Sequence, residues 1–351
     1  MMFRCWFLSL VAMFTLAGSV TARAAECGSL TGTVIGDATI VRSTRIGSGE
    51  VDGLARLPAF CRVVAVSRPT PTSEIVIEVW LPDAWNGRYQ QVGNGGWAGV
   101  IPLTALAAAL RHGFMAAGTD DGHRGSPNEA SWADGHPERL VDFGYRALHE
   151  TNMLARRISE RFYGRPPARA YFSGCSDGGR EALMTAQRYP GDFDGWLVGA
   201  PANDWSLLSA TILRAYQISA AARLGREQLR TLAAGALATC GARDGVISDP
   251  SKCAFDATML VCHPGATTGC LTRSQADAAN AIHFGARERP GSPDFPGLYG
   301  TMGTEDRPGQ WQAWFGSADA IGPQIVGGYF ITSFTPIRRS TFSGSTRRAR
   351  R

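Results

Sequence analysis

One serine lies in a local sequence that could make it a catalytic nucleophile. Residues 174–178 read Gly-Cys-Ser-Asp-Gly, which fits the pattern Gly-x-Ser-x-Gly. The preceding residues, 168–172, indicate a short strand, and residues 180–188 are good helix formers that stop before Pro190. A tight turn between a strand and a helix exposes a serine hydroxyl at the positive end of the helix. We therefore predict that Ser176 is a nucleophile; the alternative is a Gly-rich turn with a passive serine.

A nucleophilic serine also needs N–H donors for the oxyanion that forms when it attacks a carbonyl group. The predicted strand at residues 88–92 runs into a Gly-rich loop at residues 93–99. The expected donors are a backbone N–H near Gly95 and the N–H of Asp177, the residue after the serine. Gly-rich loops are also common as plain connections, so that alternative stays open.

Alternating strands and helices are expected to position these residues. Further strands are predicted at residues 62–66, 74–81, 114–118 and 193–201, the last of them buried. Apolar residues recur every three or four positions between 138 and 163, which predicts a long helix before the strand that leads to Ser176. A helix between two strands is typical of a parallel sheet, so the fold class is α/β.

One group of polar residues and one histidine could have either a functional or a structural role. Asp120, Asp121 and His123 follow a predicted strand and could suggest a metal site. Such residues more often anchor a loop at the end of a strand, and we favour that role. His149 lies in the middle of the long helix rather than on a loop, which favours a structural histidine.

The charge of the chain does not indicate a nucleic-acid partner. The 351 residues carry a net charge of +5, but two arginines lie near the N-terminus and six lie in the last 21 residues. The remainder has 27 basic and 30 acidic residues. This part is mildly acidic, with no basic stripe of the kind that binds phosphates.

The two ends of the chain differ in composition from the rest. Residues 1–25 combine Arg4, an apolar run and a small-x-small site at 22–24, which predicts a signal peptide and a secreted or periplasmic protein. No membrane association is expected after its cleavage; a membrane anchor is the alternative interpretation of the run. Residues 331–351 are rich in arginine and lack acids, which predicts a disordered tail. A tail that binds nucleic acid or a membrane is one interpretation, and we favour the other, out-of-frame coding.

The second half of the chain changes character. Residues 207–234 are predicted to be helical, residues 240–270 contain four cysteines, and residues 287–308 are rich in Gly and Pro. We interpret residues 26–205 as the nucleophile-bearing domain and residues 206–330 as an inserted lid. The length leaves ample core for this arrangement.

The chain resembles the tannase/feruloyl esterase family of secreted serine esterases. The matching runs are residues 92–99, 118–123, 142–151, 174–180, 186–190 and 192–202. The resemblance implies an α/β-hydrolase sheet with a lid, and hydrolysis of small-molecule aromatic esters. These are esters of gallate or hydroxycinnamate, or in one bacterial branch mono(2-hydroxyethyl) terephthalate. No cofactor is implied for the chemistry.

The resemblance also implies residues that this chain does not contain. The family has a catalytic Asp and a His-Cys pair after the lid, and that cysteine pairs with the one corresponding to Cys175. Here no histidine follows His283, and similarity fades after residues 328–330. We therefore expect that the C-terminal part of the hydrolase domain is missing and that activity is weak or absent. The alternatives are a non-catalytic binder of phenolic ligands and an unstable fragment.

The cysteine count agrees with this expectation. Seven cysteines remain once Cys5 leaves with the signal peptide, so one lacks a partner within the chain. Export favours disulfides. We expect the pairs Cys27 with Cys61, Cys240 with Cys253 and Cys262 with Cys270, with Cys175 unpaired.

The lid of the family also carries a calcium loop, which is altered here. Gly241 and Ser248 stand where aspartates are expected. The oxygens that remain belong to Asp244, the Val246 carbonyl and Asp249, whereas calcium takes six or more oxygens. The sequence favours loss of this structural Ca2+ and leaves its retention open.

Overall fold

A central eight-stranded sheet dominates the structure. The computed structural model describes residues 26–241, 244–286, 295–296, 305–307, 310–316 and 319–333. The first ten strands are β1 (Val34–Ile35), β2 (Ala38–Ile46), β3 (Gly49–Val51), β4 (Leu54–Leu57), β5 (Phe60–Ser67), β6 (Ile75–Pro82), β7 (Arg88–Val92), β8 (Met115–Thr119), β9 (Arg169–Cys175) and β10 (Gly195–Gly199). β3 and β4 form a separate hairpin, and the others follow the order β1-β2-β5-β6-β8-β7-β9-β10.

The parallel half of the sheet carries the predicted nucleophile. β7 pairs in parallel with β8 and β9, and β9 pairs in parallel with β10. The remaining neighbours, β1 with β2, β2 with β5, β5 with β6 and β6 with β8, are antiparallel. The carboxyl ends of parallel strands meet at one edge of the sheet, so the loops after β7 and β9 adjoin. The predicted strands at residues 62–66, 74–81, 88–92, 114–118 and 168–172 are confirmed, and so is the α/β class.

Three helices pack on the sheet, and a short fourth helix, the second in chain order, contacts the helical segments beside it. They are α1 (Leu103–Arg111), α2 (Pro137–Val141), α3 (Ala147–Tyr163) and α4 (Asp177–Arg188). The buried face of α3 includes Leu148, Ala155, Ile158 and Phe162, and this apolar stripe joins the main core. Gly164 ends α3 with φ 72°, a left-handed conformation that favours glycine.

The helix predicted over residues 138–163 is not uniform. A π-helical segment, Asp142–Arg146, separates α2 from α3. Such wide turns leave carbonyl groups with poor partners inside the helix and often occur at functional sites. Here the carbonyl oxygens of Phe143 and Gly144 accept hydrogen bonds from Arg180, at 3.1 and 3.0 Å. Periodicity did not reveal the π segment because its partner lies on another helix.

The prediction of a buried strand at residues 193–201 is wrong in its burial. β10 is present, but Leu197 is 69% exposed and Val198 is 36% exposed. β10 is the last strand in the sheet order, and within the described residues it pairs only with β9. An apolar strand is buried only when elements cover it, and its own sequence does not supply them.

The proposed lid region has a hydrophobic core of its own. Its helices are α5 (Trp205–Ala222), α6 (Arg226–Thr239), α7 (Arg273–Phe284), α8 (Trp311–Phe315) and α9 (Ile321–Ser333), and β11 (Gly285–Ala286) pairs with β12 (Phe295–Pro296). Two short 3-10 turns, Pro250–Lys252 and Ala257–Leu260, also lie in this region, and two others, Cys27–Leu30 and Ser131–Ala133, lie in the first half of the chain. The core of the lid includes Leu229, Phe255, Leu271, Ile282 and Trp311.

One helix predicted for the lid is two. The helical composition of residues 207–234 is broken between α5 and α6, where Arg223 has φ 55°. Gly225 then caps α6, and its N–H donates to Gln228 Oε1 at 3.1 Å. Gly225 was the available signal, because glycine is frequent at helix boundaries.

Three disulfides join Cys27 to Cys61, Cys240 to Cys253 and Cys262 to Cys270. Within the described residues Cys175 is the free cysteine, and it is exposed. None of the helices described here is both long and apolar enough to span a membrane. The predicted signal peptide (residues 1–25) and residues 334–351 of the predicted tail lie outside the described residues, whereas α9 continues to Ser333, past the proposed boundary at 330.

Candidate active site

Ser176 occupies a strained turn between β9 and α4. Its backbone has φ 61° and ψ −118°, a combination that glycine adopts readily and other residues rarely do. The Ser176 N–H donates to the Gly199 carbonyl at 3.0 Å, and its own carbonyl accepts from Gly179 N and Arg180 N. The residue is exposed. This is the strand–turn–helix geometry that the Gly-x-Ser-x-Gly pattern predicts.

The glycines of the turn are needed because backbones approach closely there. A Cβ at Gly174 would lie 2.2 Å from the Gly178 carbonyl oxygen. A Cβ at Gly179 would lie 2.5 Å from the Gly199 carbonyl oxygen. Carbon atoms do not approach oxygen so closely without displacing the backbone. Gly174 and Gly179 therefore let β9, β10 and α4 meet behind Ser176.

The Gly-rich loop after β7 is attached to the same turn. Gly178 N donates to the Asn94 carbonyl at 2.9 Å, which holds the loop beside the first turn of α4. Gly95 follows Asn94 and is exposed. Asp177 is the first residue of α4, and its N–H belongs to the unpaired first turn of the helix. The structure thus brings the two predicted oxyanion donors, at Gly95 and Asp177, to the turn that bears Ser176.

Two histidines of the described chain, His123 and His149, make other contacts. No hydrogen bond joins a histidine to Ser176 within the described residues. His123 is buried and its Nε2 lies 2.7 Å from the Trp97 carbonyl oxygen; burial lowers the pKa of His123 to about 4. His149 Nδ1 lies 2.7 Å from Asp192 Oδ2, and the ring stacks on Tyr189. Both contacts are structural, as predicted for His149.

The loop that follows β8 is anchored by its polar side chains. Asp120 Oδ1 accepts from Val76 N and Gly122 N, each at 3.0 Å, while burial raises the pKa of Asp120 to about 7. The predicted loop-anchoring role is confirmed for Asp120 and His123. Asp121 differs, since its fully buried carboxyl group points toward α4 rather than to the loop backbone.

A buried arginine connects the nucleophile helix to the π-helical segment. Arg180 donates to Asp177 Oδ1 and Oδ2 at 2.8 and 3.1 Å, and its guanidinium lies 4.3 Å from the centre of the Phe143 ring. A two-point ion pair of this kind fixes geometry as well as charge. The helix-forming tendency of residues 180–188 did not reveal this role; the arginine directly after the glycines was the available signal.

An aromatic cluster connects the Gly-rich loop to the lid. Trp97 stacks on Trp205 with ring centres 4.4 Å apart, and it also lies against Phe143. Trp97 Nε1 donates to the Ile325 carbonyl of α9 at 3.0 Å. A Cβ at Gly328 would lie 3.2 Å from Trp97 Nε1, so glycine permits the close approach of α9. The proposed lid region therefore contacts the loop that carries Gly95.

The residues proposed for calcium are engaged with protein groups. Asp244 Oδ1 accepts from Val246 N at 3.2 Å, and Asp249 Oδ2 lies 2.8 Å from Lys252 Nζ. Arg307 donates to the Gly245 carbonyl at 2.8 Å. A hard cation needs six or more oxygens, several of them carboxylates, and two cationic side chains already occupy this loop. The set of donors fits calcium poorly.

Comparison with known proteins assigns the family. The family model described as tannase and feruloyl esterase matches residues 61–328. The chain belongs to the tannase and feruloyl esterase family. Curated members of this family include a protein of Xanthomonas campestris pv. campestris described as an uncharacterized esterase, 38% identical over 327 residues that cover 89% of this chain and 56% of the relative. The probable feruloyl esterase B of Emericella nidulans is 35% identical over 64% of this chain and 44% of its own length.

Solved structures of the family share the fold. Feruloyl esterase B from Aspergillus oryzae has a TM-score of 0.74 at 28% identity, covering 83% of this chain and 62% of that one. Tannin acyl hydrolase from Aspergillus niger has a TM-score of 0.67 at 23% identity, covering 86% and 61%. The chain spans about half the length of the curated relatives that it matches.

Proposed function

We propose that Ser176 is the nucleophile of a carboxylic-ester hydrolase. The observation that carries the proposal is the exposed serine at φ 61° on the turn between β9 and α4. Its Oγ would attack the ester carbonyl, the alcohol would leave, and water would release the acid from the acyl-enzyme. Membership of the tannase and feruloyl esterase family supports this reaction class.

Two backbone N–H groups would stabilise the oxyanion. Asp177 N stands in the first turn of α4, and the loop with Gly95 is tied to that turn through Asn94 and Gly178. Rigid donors aimed at the developing charge lower the barrier because they need no reorganisation during the reaction. The Trp97 contacts with α9 hold the same loop from the side of the lid.

The proton of Ser176 needs a base. We propose that a segment following the lid supplies it as a His-Cys pair oriented by an Asp, as the resemblance implies, and that its cysteine joins Cys175. The exposed Cys175 thiol and the exposed flank of β10 support this proposal, because both adjoin Ser176 and would be covered by such a segment. A serine without its base is a poor nucleophile, and loss of a triad lowers turnover by about 10⁶.

The proposed substrates are esters of aromatic or phenolic acids. Two relatives are named for feruloyl esters and one for tannin, and their activity is carried to this chain as a proposal only. We also propose a secreted or periplasmic protein, on the three disulfides.

Ester hydrolysis by matched chains tests the proposal. The present chain, its Ser176→Ala variant, and the same chain extended by the segment that follows the lid in a relative would be assayed with methyl gallate and methyl ferulate. We expect trace activity in the present chain and a gain of several orders of magnitude in the extended one, abolished by Ser176→Ala. Equal rates for the extended chain with and without the Ser176→Ala substitution would refute the nucleophile. Specific binding of phenolic acids with no turnover in the extended chain would indicate a non-catalytic binder.

A structural calcium ion in the lid, which the donor set at Asp244, Val246 and Asp249 disfavours, is tested separately. A bound ion stabilises the folded state in proportion to the logarithm of its concentration over its Kd. A melting temperature that rises with millimolar Ca2+ in the wild type and not in Asp244→Asn would support it. An unchanged melting temperature would reject the site at Asp244, Val246 and Asp249.

A further inference from the structure

Three carboxyl groups are buried beneath the Gly-rich loop. Asp121, Asp177 and Glu181 are fully buried, and one carboxylate oxygen of each lies within 4.8 Å of the others. Arg180 donates to both oxygens of Asp177, which balances that charge. Asp121 and Glu181 remain as two adjacent carboxyl groups without a cation of their own.

The hydrogen bonds of this pair are incomplete if both groups are ionised. Both oxygens of Glu181 accept from the Asn94 N–H, at 3.3 and 3.2 Å. Both oxygens of Asp121 are buried, and within the described residues neither accepts a hydrogen bond of standard geometry. Two buried carboxylates in contact would repel each other and would have lost their hydration. A proton between them converts the repulsion into a short, charge-assisted hydrogen bond.

We propose that Asp121 and Glu181 share a proton at neutral pH, and that this pair is the positioning element that holds the Gly-rich loop on the nucleophile helix. The connection runs from Asp121 through the Glu181 carboxyl group to the Asn94 N–H, and from the Asn94 carbonyl back to Gly178 N. A role of this connection in catalysis rests on the proposed function of Ser176. The shared proton itself does not depend on that function.

The surroundings of the pair favour the protonated form. Burial raises the pKa of Asp121 to about 7 and that of Glu181 well above its usual range. The further charged groups facing the pair are Asp120, Asp177 and Arg180. Asp120 and Asp177 repel negative charge on the pair, and Arg180 offsets only part of that repulsion.

The pH dependence of stability tests the proton. The folded pair binds a proton more tightly than the unfolded chain, whose carboxyl groups titrate near pH 4. Stability is therefore full below pH 4 and is lost as pH rises toward 7. Glu181→Gln imitates the protonated pair, since its amide can donate to Asp121 and its oxygen can accept from Asn94. Each pH unit between 5 and 7 should raise the unfolding equilibrium constant of the wild type about tenfold relative to Glu181→Gln.

The matched control is Glu160→Gln, an exposed glutamate on α3, which should follow the wild type at every pH. Asp121→Asn is the second variant, should Glu181→Gln fail to fold. Infrared spectra at pH 7 should show a buried protonated carboxyl band that weakens in Glu181→Gln and not in Glu160→Gln. A constant difference in stability between pH 5 and 8 would overturn the proposal. So would a melting temperature raised by Mg2+ or Ca2+ only when Glu181 is present, because the group between the carboxylates would then be a metal.

Amide hydrogen exchange tests the positioning role. Residues 93–99 should lose protection in Glu181→Ala and regain it in Glu181→Gln, while α7 in the lid stays unchanged in both. Equal protection of residues 93–99 in wild type and Glu181→Ala would refute the role. None of these measurements uses ester hydrolysis, so a failure here leaves the assignment of Ser176 intact, and an inactive extended chain leaves the shared proton intact.

Discussion

Replacing Ser176 by glycine should stabilise the protein while removing its proposed nucleophile. Ser176 has φ 61° and ψ −118°, the conformation of the first central residue of a type II′ turn, where glycine predominates. The strain comes from the Cβ atom, which glycine lacks. The serine hydroxyl makes no hydrogen bond to another group within the described residues, so its loss removes no native contact.

The magnitude follows from two opposing effects. A residue held in such a region costs about 1–3 kcal/mol, which Ser176→Gly recovers. The added freedom of glycine in the unfolded chain offsets about 0.4–1 kcal/mol of that gain. The strain is the larger effect, so the net stabilisation should be about 0.5–2 kcal/mol. In a protein of this size this corresponds to a rise in melting temperature of roughly 1–5 °C.

Ser176→Ala is the control, because it removes the hydroxyl and keeps the Cβ. Its free energy of unfolding should lie within about 0.5 kcal/mol of wild type. Calorimetry or urea unfolding of the three proteins at one pH measures both differences. If Ser176→Gly unfolds at or below the temperature of Ser176→Ala, the backbone at this turn is not strained and the elbow geometry is wrong.

Three further predictions concern the surroundings of the site. Iodoacetamide should label Cys175 in the native chain and leave the six disulfide-bonded cysteines unlabelled; peptide mapping that finds label on a lid cysteine would contradict the pairing. Gly174→Ala should destabilise by about 3 kcal/mol or more, because its Cβ would meet the Gly178 carbonyl, whereas Gly144→Ala has open space and should change the melting temperature little. The hydrogen bond to Asp192 raises the pKa of His149, so the protonated histidine stabilises the fold below about pH 6.5 and loses that effect as pH rises through its folded-state pKa. NMR titration should show that pKa lowered in Asp192→Asn, and an unchanged value would refute the pairing.

The sequence alone determined the local framework of the site. The turn at Ser176 is encoded within about fifteen residues, because the strand, the glycines and the helix that create it are contiguous. The strands β5 to β9 were predictable for the same reason, since β-branched runs and their flanking turns are local signals. Family motifs extended this to the positions of Gly95 and Asp177.

Only the tertiary structure decided which of these residues support one another. Asp121 and Glu181 are sixty positions apart, and Trp97 meets Ile325 across 228 positions, so no local pattern reveals either contact. The exposure of Leu197 is a similar case: its strand is as apolar as a buried one, and burial depends on neighbours from elsewhere in the chain. The sequence determines the chemical type of each side chain. The pKa, the backbone strain and the burial of a residue depend on which distant groups the fold brings within a few ångströms of it.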